Sequence, residues 1–411
     1  MRQTIYFDHA ATTRPFPEVL EAMLPYYSAS FGNPSSAYEL GEESKQAVEQ
    51  ARKMIAATLS VEPETIYFTS GGTESDNWAL RYAVSEAGRK CKRKDTERSG
   101  QCQDTIRNGG SRNQKSERNI RQPHIITTSI EHPAVLRTCE ALEREGARVT
   151  YLPVDRGGIV DLRALERAVC PETVLISVMY ANNEIGTIQP VAEAARIAGQ
   201  NGILFHSDAV QVYGQLPLDP KRLGIDLMSV SGHKLNGPKG VGFLYAGEGI
   251  DLKPLLRGGS QEKKMRAGTE NVPGIVGMGM AAWMSHRMLR EKMYRETQLR
   301  NYFMKRLLTE IPKIKINGST HQRLPNNINV SISGVNGGAL VALLDMEGIC
   351  VSAASACSAG SDEPSHVQLA IGNSLEEAQS AVRITLGPEN TREEVDITTD
   401  TIKRLVKKLR L

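Results

Sequence analysis

Cysteine is scarce in this chain, and its spacing fits neither of the usual structural roles of the residue. Only six cysteines occur among 411 residues, and no two of them form a C-x-x-C pair. The spacing therefore excludes a disulfide framework and a zinc site of the common type, and we expect a reducing, cytoplasmic compartment. The six are Cys91, Cys102, Cys139, Cys170, Cys350 and Cys357.

Long apolar runs are absent as well. No stretch approaches the roughly 18 consecutive apolar residues of a membrane-spanning helix, so no membrane segment is expected. Residues 1–13 contain one basic residue and no apolar stretch, which argues against a secretory signal. Hydrophobic residues make up 40% of the chain and charged residues 24%. These ordinary values exclude disordered, collagen-like and fibrous classes for most of its length.

Positive charge is concentrated in residues 88–122. This segment has eleven lysines and arginines against four acidic residues, a net +7 within a chain whose formal net charge is +3. Its large apolar residues are Ile106 and Ile120, too few to offset the entropy of ordering, so we predict a disordered or weakly ordered surface insertion. A solvated loop is favoured over a contact with nucleic acid or an acidic partner, because the segment lacks aromatic residues that could stack on bases.

Elsewhere, short apolar runs alternate with helical patterns. This alternation is typical of βαβ units, and it predicts an α/β fold with a mostly parallel sheet and helices on both faces. Ligands of such sheets bind beyond the carboxyl ends of the strands, so the polar residues that follow each strand are the candidates for a site. Strands are predicted at 66–69, 124–127, 149–152, 174–178, 203–206 and 227–230, and helices at 134–145 and 191–198.

The alternation fades after residue 259. A long helical pattern covers about 276–308 and is followed by an apolar strand at 327–332, a helix near 339–344 and a final helix that ends within 405–411. A chain of this length is expected to contain two or three domains. We therefore predict a second, smaller α/β domain in the C-terminal part of the chain.

The first candidate binding residues follow the strand at 66–69. The segment 69–77 runs from that strand into Gly71 and Gly72 and then into a helix. Glycines let the backbone approach a ligand closely, and the N-terminus of a helix presents free N–H groups to an anion. A phosphate site and a plain tight strand-to-helix turn fit this pattern equally well.

A carboxylate follows the strand at 203–206. The pattern delivers Asp208 to the carboxyl edge of the sheet, where an unpaired carboxylate is costly. The protonated pyridine nitrogen of pyridoxal phosphate (PLP) is a suitable partner, because PLP enzymes use an aspartate to keep the ring electron-poor. A metal ion and a helix N-terminus remain alternative partners for this residue.

A lysine follows the strand at 227–230. Lys234, or else Lys239, is placed at the sheet edge among glycines, as expected of an amine that forms a Schiff base with a carbonyl group. Lys234 is favoured because Ser231 and His233 beside it can bind a phosphate. Lys239 fits a charged loop.

In this order, these motifs resemble those of the NifS/IscS-type cysteine desulfurases, which are class V, fold-type I PLP enzymes. The resemblance covers essentially the whole chain except the basic insertion. Each motif alone is weak, and the shared order of so many makes the resemblance specific. The further motifs that carry it lie at 6–13, 31–36, 131–135, 182–186, 266–269, 355–360 and 382–387.

The resemblance implies a fold and an assembly. The expected architecture is a seven-stranded, mostly parallel sheet with helices on both faces, plus a smaller α/β domain. The large PLP-binding domain is expected at 14–259, with residues 88–122 inserted in it, and the small domain at 1–13 and 260–411. A homodimer is also expected.

The resemblance implies roles for the residues around PLP. Lys234 is expected to carry the cofactor covalently and to act as the catalytic base. Asp208 is expected to pair with the pyridine nitrogen, Gln211 to bond the phenolic oxygen of the ring, and His132 to stack on the ring and move protons. The residues expected to hold the phosphate are Gly72, Thr73, Ser231 and His233, with Thr269 contributed by the partner subunit.

The substrate carboxylate is expected to bind Arg383 and Asn183, with Asn33 nearby. Asn183 also belongs to the residues expected beside the cofactor. An arginine suits the task because its planar fork matches a carboxylate with two hydrogen bonds. From spacing alone, a surface ion pair would be the preferred interpretation of Arg383.

Cys357 is expected to be the nucleophile. It lies in a stretch of small and polar residues without a bulky anchor, unlike Cys350, and such a stretch suits a mobile loop that reaches a substrate. The nucleophilic cysteine of the family falls at this position and reacts as a thiolate. The implied reaction removes sulfur from L-cysteine, giving L-alanine and a persulfide on Cys357. Its expected acceptor is an iron–sulfur scaffold protein, a tRNA-thiolation relay or another sulfur carrier.

Three alternatives remain. A selenocysteine lyase and a class V aminotransferase share the scaffold, although the aminotransferases need no cysteine loop. A non-catalytic protein that binds nucleic acid or a partner through the insertion is disfavoured, because Lys234, Asp208 and Cys357 are all present. No metal site is expected.

Overall fold

The computed structural model describes residues 4–85, 122–353 and 364–411. Cys357 and the predicted insertion, apart from Gln122, lie outside these ranges, so the disorder of the insertion stays a prediction. Within the described ranges, no helix combines the length and the apolar character needed to cross a membrane.

The described residues form thirteen strands and thirteen α-helices. The strands are β1 (Ile5–Tyr6), β2 (Ile66–Thr69), β3 (His124–Thr128), β4 (Arg148–Leu152), β5 (Thr173–Ser177), β6 (Leu204–Asp208), β7 (Leu227–Ser231), β8 (Gly242–Ala246), β9 (Ile314–Ile316), β10 (Asn327–Ile332), β11 (Ile349–Cys350), β12 (Ser352–Ala353) and β13 (Ala381–Thr385). The helices are α1 (Pro17–Met23), α2 (Pro25–Ser28), α3 (Glu39–Leu59), α4 (72–85), α5 (Pro133–Arg144), α6 (Leu162–Ala168), α7 (Val191–Gln200), α8 (Pro220–Leu223), α9 (Val272–Glu310), α10 (Gly337–Met346), α11 (His366–Ala370), α12 (Leu375–Gln379) and α13 (Arg392–Leu409).

The larger sheet has seven strands, and six of them run in the same direction. Their order is β2–β8–β7–β6–β5–β3–β4, with β8 antiparallel to both of its neighbours. Strands β3, β7 and β8 are buried along their whole length, as expected of a sheet that is covered on both faces. The predicted mostly parallel α/β sheet is therefore confirmed.

Helices cover both faces of this sheet. Successive residues of a strand point to opposite faces, and both faces carry apolar side chains that the helices bury. In β3, Ile126 belongs to a hydrophobic cluster that includes residues of α3, α7 and α9. Ile125 belongs to another cluster, which includes residues of α4 and α5. In β5, Ile176 and Leu175 divide in the same way. The two clusters fix the strand register, since a one-residue slip would exchange the faces.

A second, smaller sheet is built from the C-terminal part of the chain. It has four antiparallel strands in the order β12–β13–β10–β9, and β1 pairs in parallel with β11 nearby. Strands β1, β10, β11 and β13 share a third hydrophobic cluster with α10 and α13, whose buried residues come from 5–7 and 303–406. The expected domain boundary at residue 259 stays a prediction.

Helix α9 connects the two parts. Met278 packs in the cluster of the larger sheet, whereas Phe303 and Leu307 pack in the cluster of the smaller one. A Cβ atom on Gly279 would come within 2.8 Å of Ala51 in α3. The glycine therefore permits the close approach of α3 and α9 that holds the connecting helix against the larger sheet.

Candidate active site

A cavity of about 530 Å³ opens at the carboxyl ends of the parallel strands, the place where ligands of such sheets bind. Six separate segments of the chain bring predicted site residues to it, so the fold assembles groups that lie far apart in the sequence. The predicted residues that line the cavity are Gly72, Thr73, His132, Asn183, Asp208, Gln211, Ser231, His233, Lys234 and Arg383.

Asp208 is the last residue of β6 and is buried. Its Oδ1 accepts a hydrogen bond of 2.9 Å from the backbone N–H of Val210. Burial raises the pKa of Asp208, while His132, the Val210 N–H and Lys234 act in the opposite direction. Burial disfavours the ionised carboxylate of Asp208 because it removes water. A further cation in the cavity would offset this effect and favour ionisation.

Lys234 lies directly after β7, in a short helical turn. Its Nζ donates hydrogen bonds to the backbone carbonyl oxygens of Ala10, at 2.5 Å, and Ala11, at 2.7 Å. Gln211 Nε2 donates to the same Ala10 oxygen at 3.2 Å. The N-terminal segment of the chain thus forms one wall of the cavity and positions the lysine amine within it.

His132 is the N-cap residue of α5. Its Nδ1 accepts a hydrogen bond of 3.1 Å from the backbone N–H of Ala134, so the proton of the neutral ring lies on Nε2. Burial lowers the pKa of His132, and Lys234 acts in the same direction while Asp208 opposes it. The fold therefore favours a neutral imidazole with an Nε2–H group left for other partners.

The turn from β2 into α4 is shaped for the close approach of a ligand. A Cβ atom on Gly72 would come within 2.7 Å of Val210 Cγ2. Residues 70–74 line the cavity, so the N-terminus of α4 faces it and offers N–H groups to an anion. Glu74 is already occupied, because its carboxylate accepts hydrogen bonds of 2.9 and 3.1 Å from Arg266.

Arg383 of β13 supplies a buried guanidinium to the cavity. Its Nη2 donates to Asp8 Oδ1 at 2.9 Å and its Nη1 to the Asn183 carbonyl oxygen at 3.1 Å. Arg383 Nε has no hydrogen-bond partner within the described residues. Ser352 of β12 pairs with Arg383 in the strand register, and its hydroxyl donates to Asp8 Oδ2 at 2.8 Å. The guanidinium thus holds one carboxylate and keeps an unused donor.

Some expected residues are not placed at the cavity. Asn33 is exposed and does not line it, and the Asn33 side chain accepts a hydrogen bond of 2.9 Å from the Ser35 N–H. Thr269, expected at the site of a partner subunit, is exposed. Cys357 lies outside the described residues. Lys239, which the sequence assigns to a charged loop, does line the cavity.

Two acids, Asp76 in the cavity lining and Asp8 behind it as the partner of Arg383, have no role in the sequence-based assignment. Both lie inside motifs singled out there, at 6–13 and 69–77. Their importance comes from tertiary contacts, since Asp8 meets Arg383 across 375 residues of chain. For Asp76, the one local signal is a charged residue on the buried side of α4.

Comparison with known proteins agrees with this geometry. The aminotransferase class V family matches residues 5–98 and 113–397. The chain is 47% identical to cysteine desulfurase IscS of Methanosarcina thermophila over 99% of its own length and 93% of that protein. It is 44% identical to cysteine desulfurase IscS of Dictyoglomus turgidum over 100% of its length and 96% of that protein. The solved structure of a NifS-like protein, 37% identical, has a TM-score of 0.86 over 99% of this chain and 100% of its own.

Proposed function

The chain belongs to the class V aminotransferase family, and from this membership and the cavity we infer that it is a PLP-dependent cysteine desulfurase. Such an enzyme converts L-cysteine into L-alanine and retains the sulfur as a persulfide, here on Cys357. The observation that carries the proposal is the convergence of Lys234, Asp208 and Arg383 on one cavity. It occurs in a chain that aligns over 99% of its length with a cysteine desulfurase.

The inner end of the cavity suits the ring of PLP. Asp208 is a buried carboxyl whose ionised form is favoured by a further cation, and a pyridinium nitrogen is such a cation. Gln211 lies beside it for the phenolic oxygen, and Lys234 offers the amine for covalent attachment. When bound, PLP supplies an electron-poor ring that stabilises negative charge on the α carbon of the substrate.

The end formed by the β2–α4 turn suits the phosphate. Burial lowers the pKa of His233 to about 4, and Lys234 and Lys239 act in the same direction, so this ring would bind phosphate as a neutral donor. His233 Nδ1 already pairs with Thr12 Oγ1 at 3.2 Å, which leaves Nε2 for the ligand. The residues proposed to hold the phosphate are Gly72, Thr73, Ser231 and His233, with Thr269 of a second copy in a homodimer.

Arg383 and Asn183 are proposed to bind the carboxylate of L-cysteine. Arg383 is buried, and its Nε has no hydrogen-bond partner among the residues that the structure describes. A charge-assisted hydrogen bond to a carboxylate is stronger than a neutral one. Because Asp8 already accepts from Arg383 Nη2, the substrate carboxylate would share or replace that contact.

Two groups are proposed to move protons. Lys234 Nζ, held by the carbonyl oxygens of Ala10 and Ala11, would accept the proton lost from the α carbon of the substrate. His132 Nε2 would exchange protons with the substrate, because Nδ1 is fixed by the Ala134 N–H and the neutral ring has a donor at Nε2.

Cys357 is proposed as the sulfur acceptor on the enzyme, and the described residues on either side of its stretch support this. Ser352 lines the cavity, and Ser365 Oγ donates to the buried Glu184 carboxylate at 2.5 Å, one residue from Asn183. The Cys357 thiolate would attack the substrate sulfur, so that a sulfur–sulfur bond forms and the carbon–sulfur bond breaks. Protonation of that carbon then gives alanine.

The proposal also covers the sulfur acceptor, the cellular compartment and the basic insertion. The persulfide sulfur would pass to an acceptor protein, for example an iron–sulfur scaffold protein or a tRNA-thiolation relay. The cytoplasm is the proposed compartment, because the cysteine pattern lacks a disulfide framework. The basic insertion at 88–122 is proposed to be solvated.

The decisive experiment supplies L-cysteine and a thiol reductant to the PLP-loaded protein. We expect equal amounts of alanine and sulfide, loss of both in Cys357→Ala with PLP still bound, and retention of both in the control Cys350→Ala. Persulfide formation by Cys357→Ala would remove that residue from the mechanism. Transamination of a keto acid without sulfide release would favour an aminotransferase, and turnover of selenocysteine alone would favour a lyase.

A further inference from the structure

Two neighbouring carboxyl groups, those of Asp76 and Asp208, line the cavity. Asp208 ends β6, and Asp76 lies in the second turn of α4. One oxygen of each, and one ring nitrogen of His132, lie within 4.8 Å of one another. Asp76 is 1% exposed and Asp208 5%. Two negative charges this close in a buried site repel strongly, so simultaneous ionisation of both groups is disfavoured.

The surroundings of the two acids differ. Asp208 faces cationic Lys234 and the polar ring of His132, and it accepts the Val210 N–H. Asp76 Oδ1, by contrast, is buried without a hydrogen-bond partner within the described residues. The cationic side chain and the backbone N–H that favour ionisation are therefore arranged around Asp208, while Asp76 has only a neutral hydroxyl, that of Ser229, acting in this direction among the described residues.

The nearest basic group to Asp76 cannot neutralise it. His206 Nε2 lies 3.6 Å from Asp76 Oδ1, but burial lowers the pKa of His206 to about 3. The His206 ring is instead held as a neutral group between hydroxyls, with Nδ1 at 2.9 Å from Ser177 Oγ and Nε2 at 3.0 Å from Ser229 Oγ. Ser229 in turn hydrogen-bonds Asp76.

We propose that Asp76 and Asp208 share a single negative charge, with Asp76 as the protonated member that confines the charge to Asp208. Asp76 is then a positioning residue for the cofactor, because it keeps the carboxylate at the place where a pyridinium nitrogen would bind. This inference rests on the proposed function. It adds a group that the sequence-based assignment of the site did not include.

The titration of the neighbouring groups agrees with this division. Burial, then the charge of Asp208, raises the pKa of Asp76 well above its ordinary value; the Ser229 hydroxyl acts in the opposite direction and Glu131 in the same direction. Burial also raises the pKa of Glu131, to about 8. Of the three buried acids under the cavity, Asp208 is the one that Lys234 and His132 help to ionise.

The first test uses the PLP-free protein and the variant Asp76→Asn, which has the shape of the protonated acid at every pH. A carboxyl whose pKa is raised by folding loses stability as pH rises from its unfolded value through its folded value. We therefore expect the Tm of the wild type to fall more steeply than that of Asp76→Asn between pH 5 and pH 9. The expected gap is about 2 °C at the upper end. Parallel curves would overturn the proposal.

A matched control separates this effect from the general cost of a buried acid. Glu296 in α9 is buried, has no hydrogen-bond partner on either carboxyl oxygen within the described residues, and has a pKa raised by burial to about 7. Glu296→Gln should change the pH dependence of Tm equally with and without PLP. The effect of Asp76→Asn should shrink when PLP is bound, because a pyridinium cation partly offsets a second carboxylate. An equal effect in both states would overturn the proposal.

The second test measures PLP affinity at neutral pH from cofactor absorbance. Asp76→Asn should keep the affinity within about threefold, whereas Asp208→Asn should lose about a hundredfold, the size of a lost buried charge pair. A larger loss in Asp76→Asn would mean that Asp76 is ionised and shares the pyridinium. If the wild type binds no PLP, the proposed function fails, while the PLP-free Tm comparison still reports on the charge of Asp76.

Discussion

The two ends of the cavity treat a buried charge in different ways. At the end built by the seven-stranded sheet, Asp208 is held by a backbone N–H and favours the arrival of a cation. At the end built by the smaller sheet, the Arg383 guanidinium already holds a carboxylate of the chain, that of Asp8.

This difference matches what each group is proposed to bind. A ligand that stays on the enzyme can supply a further positive charge permanently, so Asp208 needs no buried guanidinium beside the Val210 N–H and Lys234. A substrate that enters and leaves in every turnover must not leave a buried guanidinium without a partner, since an unpaired buried charge is strongly destabilising. In the proposed function, Asp8 would provide that partner between turnovers, and a substrate carboxylate would replace the contact.

The largest expected effect comes from Lys234→Ala, which removes the lysine proposed to attach the cofactor. The amine proposed for covalent attachment and proton transfer disappears, so borohydride should no longer fix PLP to the chain. Alanine production should fall by about a thousandfold or more. Lys239→Ala, which removes the other lysine of the cavity, should leave both properties intact. Continued fixation of PLP in Lys234→Ala would move the attachment to Lys239.

The next largest effect is expected from Arg383→Lys, which changes the residue proposed to bind the substrate carboxylate. A lysine keeps the charge but lacks the planar fork, so the KM for L-cysteine should rise by about a hundredfold. PLP affinity should stay within about threefold, because Arg383 belongs to the smaller sheet, whereas Asp208 and Lys234 follow strands of the larger one. Arg306→Lys on α9, in a surface ion-pair cluster, should change neither. If Arg383→Lys lost PLP affinity by as large a factor as its KM for L-cysteine rises, the division between the cofactor residues and the substrate residues would be wrong.

The two ends also differ in how far the sequence predicts them. The alternation of apolar runs and helices locates the strands that carry the cofactor residues, and the six strands expected from it end within two residues of the observed bounds. Strand β8 is not among them, because it returns antiparallel from β7 with only a short helical turn, and no α-helix, between the two strands. In these βαβ units, the position of Asp208 follows from local pattern.

The substrate end follows from no local pattern. Arg383 reaches the cavity because β13 pairs with β10 and β12, and its partner Asp8 lies at the other end of the chain. From spacing alone, Arg383 fits a surface ion pair, and its assignment required the family resemblance. Asn33, assigned in the same way, does not line the cavity. Local pattern does not predict contacts between distant strands, because their geometry depends on tertiary packing.

A smaller effect is expected from Asp8→Asn, which removes the carboxylate that holds Arg383 between turnovers. The variant without ligand should be less stable than the wild type, because a buried guanidinium loses its charged partner. Added L-alanine, a carboxylate that fits the same place, should raise the Tm of the variant more than that of the wild type. Equal shifts in the two proteins would show that Asp8 and the substrate carboxylate do not use the same donors.

The smallest expected effect concerns Glu184. This residue follows Asn183, whose carbonyl oxygen accepts a hydrogen bond from Arg383, and it also contacts Ser365. Its Oε2 accepts a hydrogen bond of 2.5 Å from Ser365. Burial raises the pKa of Glu184 to about 7, although Ser365 and Arg383 act in the opposite direction. Its contribution to stability is therefore present at low pH and lost as pH rises from its unfolded value through about 7.

Glu184→Gln keeps a hydrogen-bond acceptor for Ser365 and stays neutral at every pH. Its Tm should match the wild type near pH 5 and exceed it by about 1 to 2 °C near pH 8.5. Glu193→Gln, an exposed acid of α7, controls for the removal of a carboxylate from the surface. A Tm below the wild type at pH 8.5 would mean that ionised Glu184 stabilises Arg383. In that case the substrate end would hold two internal counter-ions for Arg383, and Asp8 alone would not explain how the guanidinium is kept between turnovers.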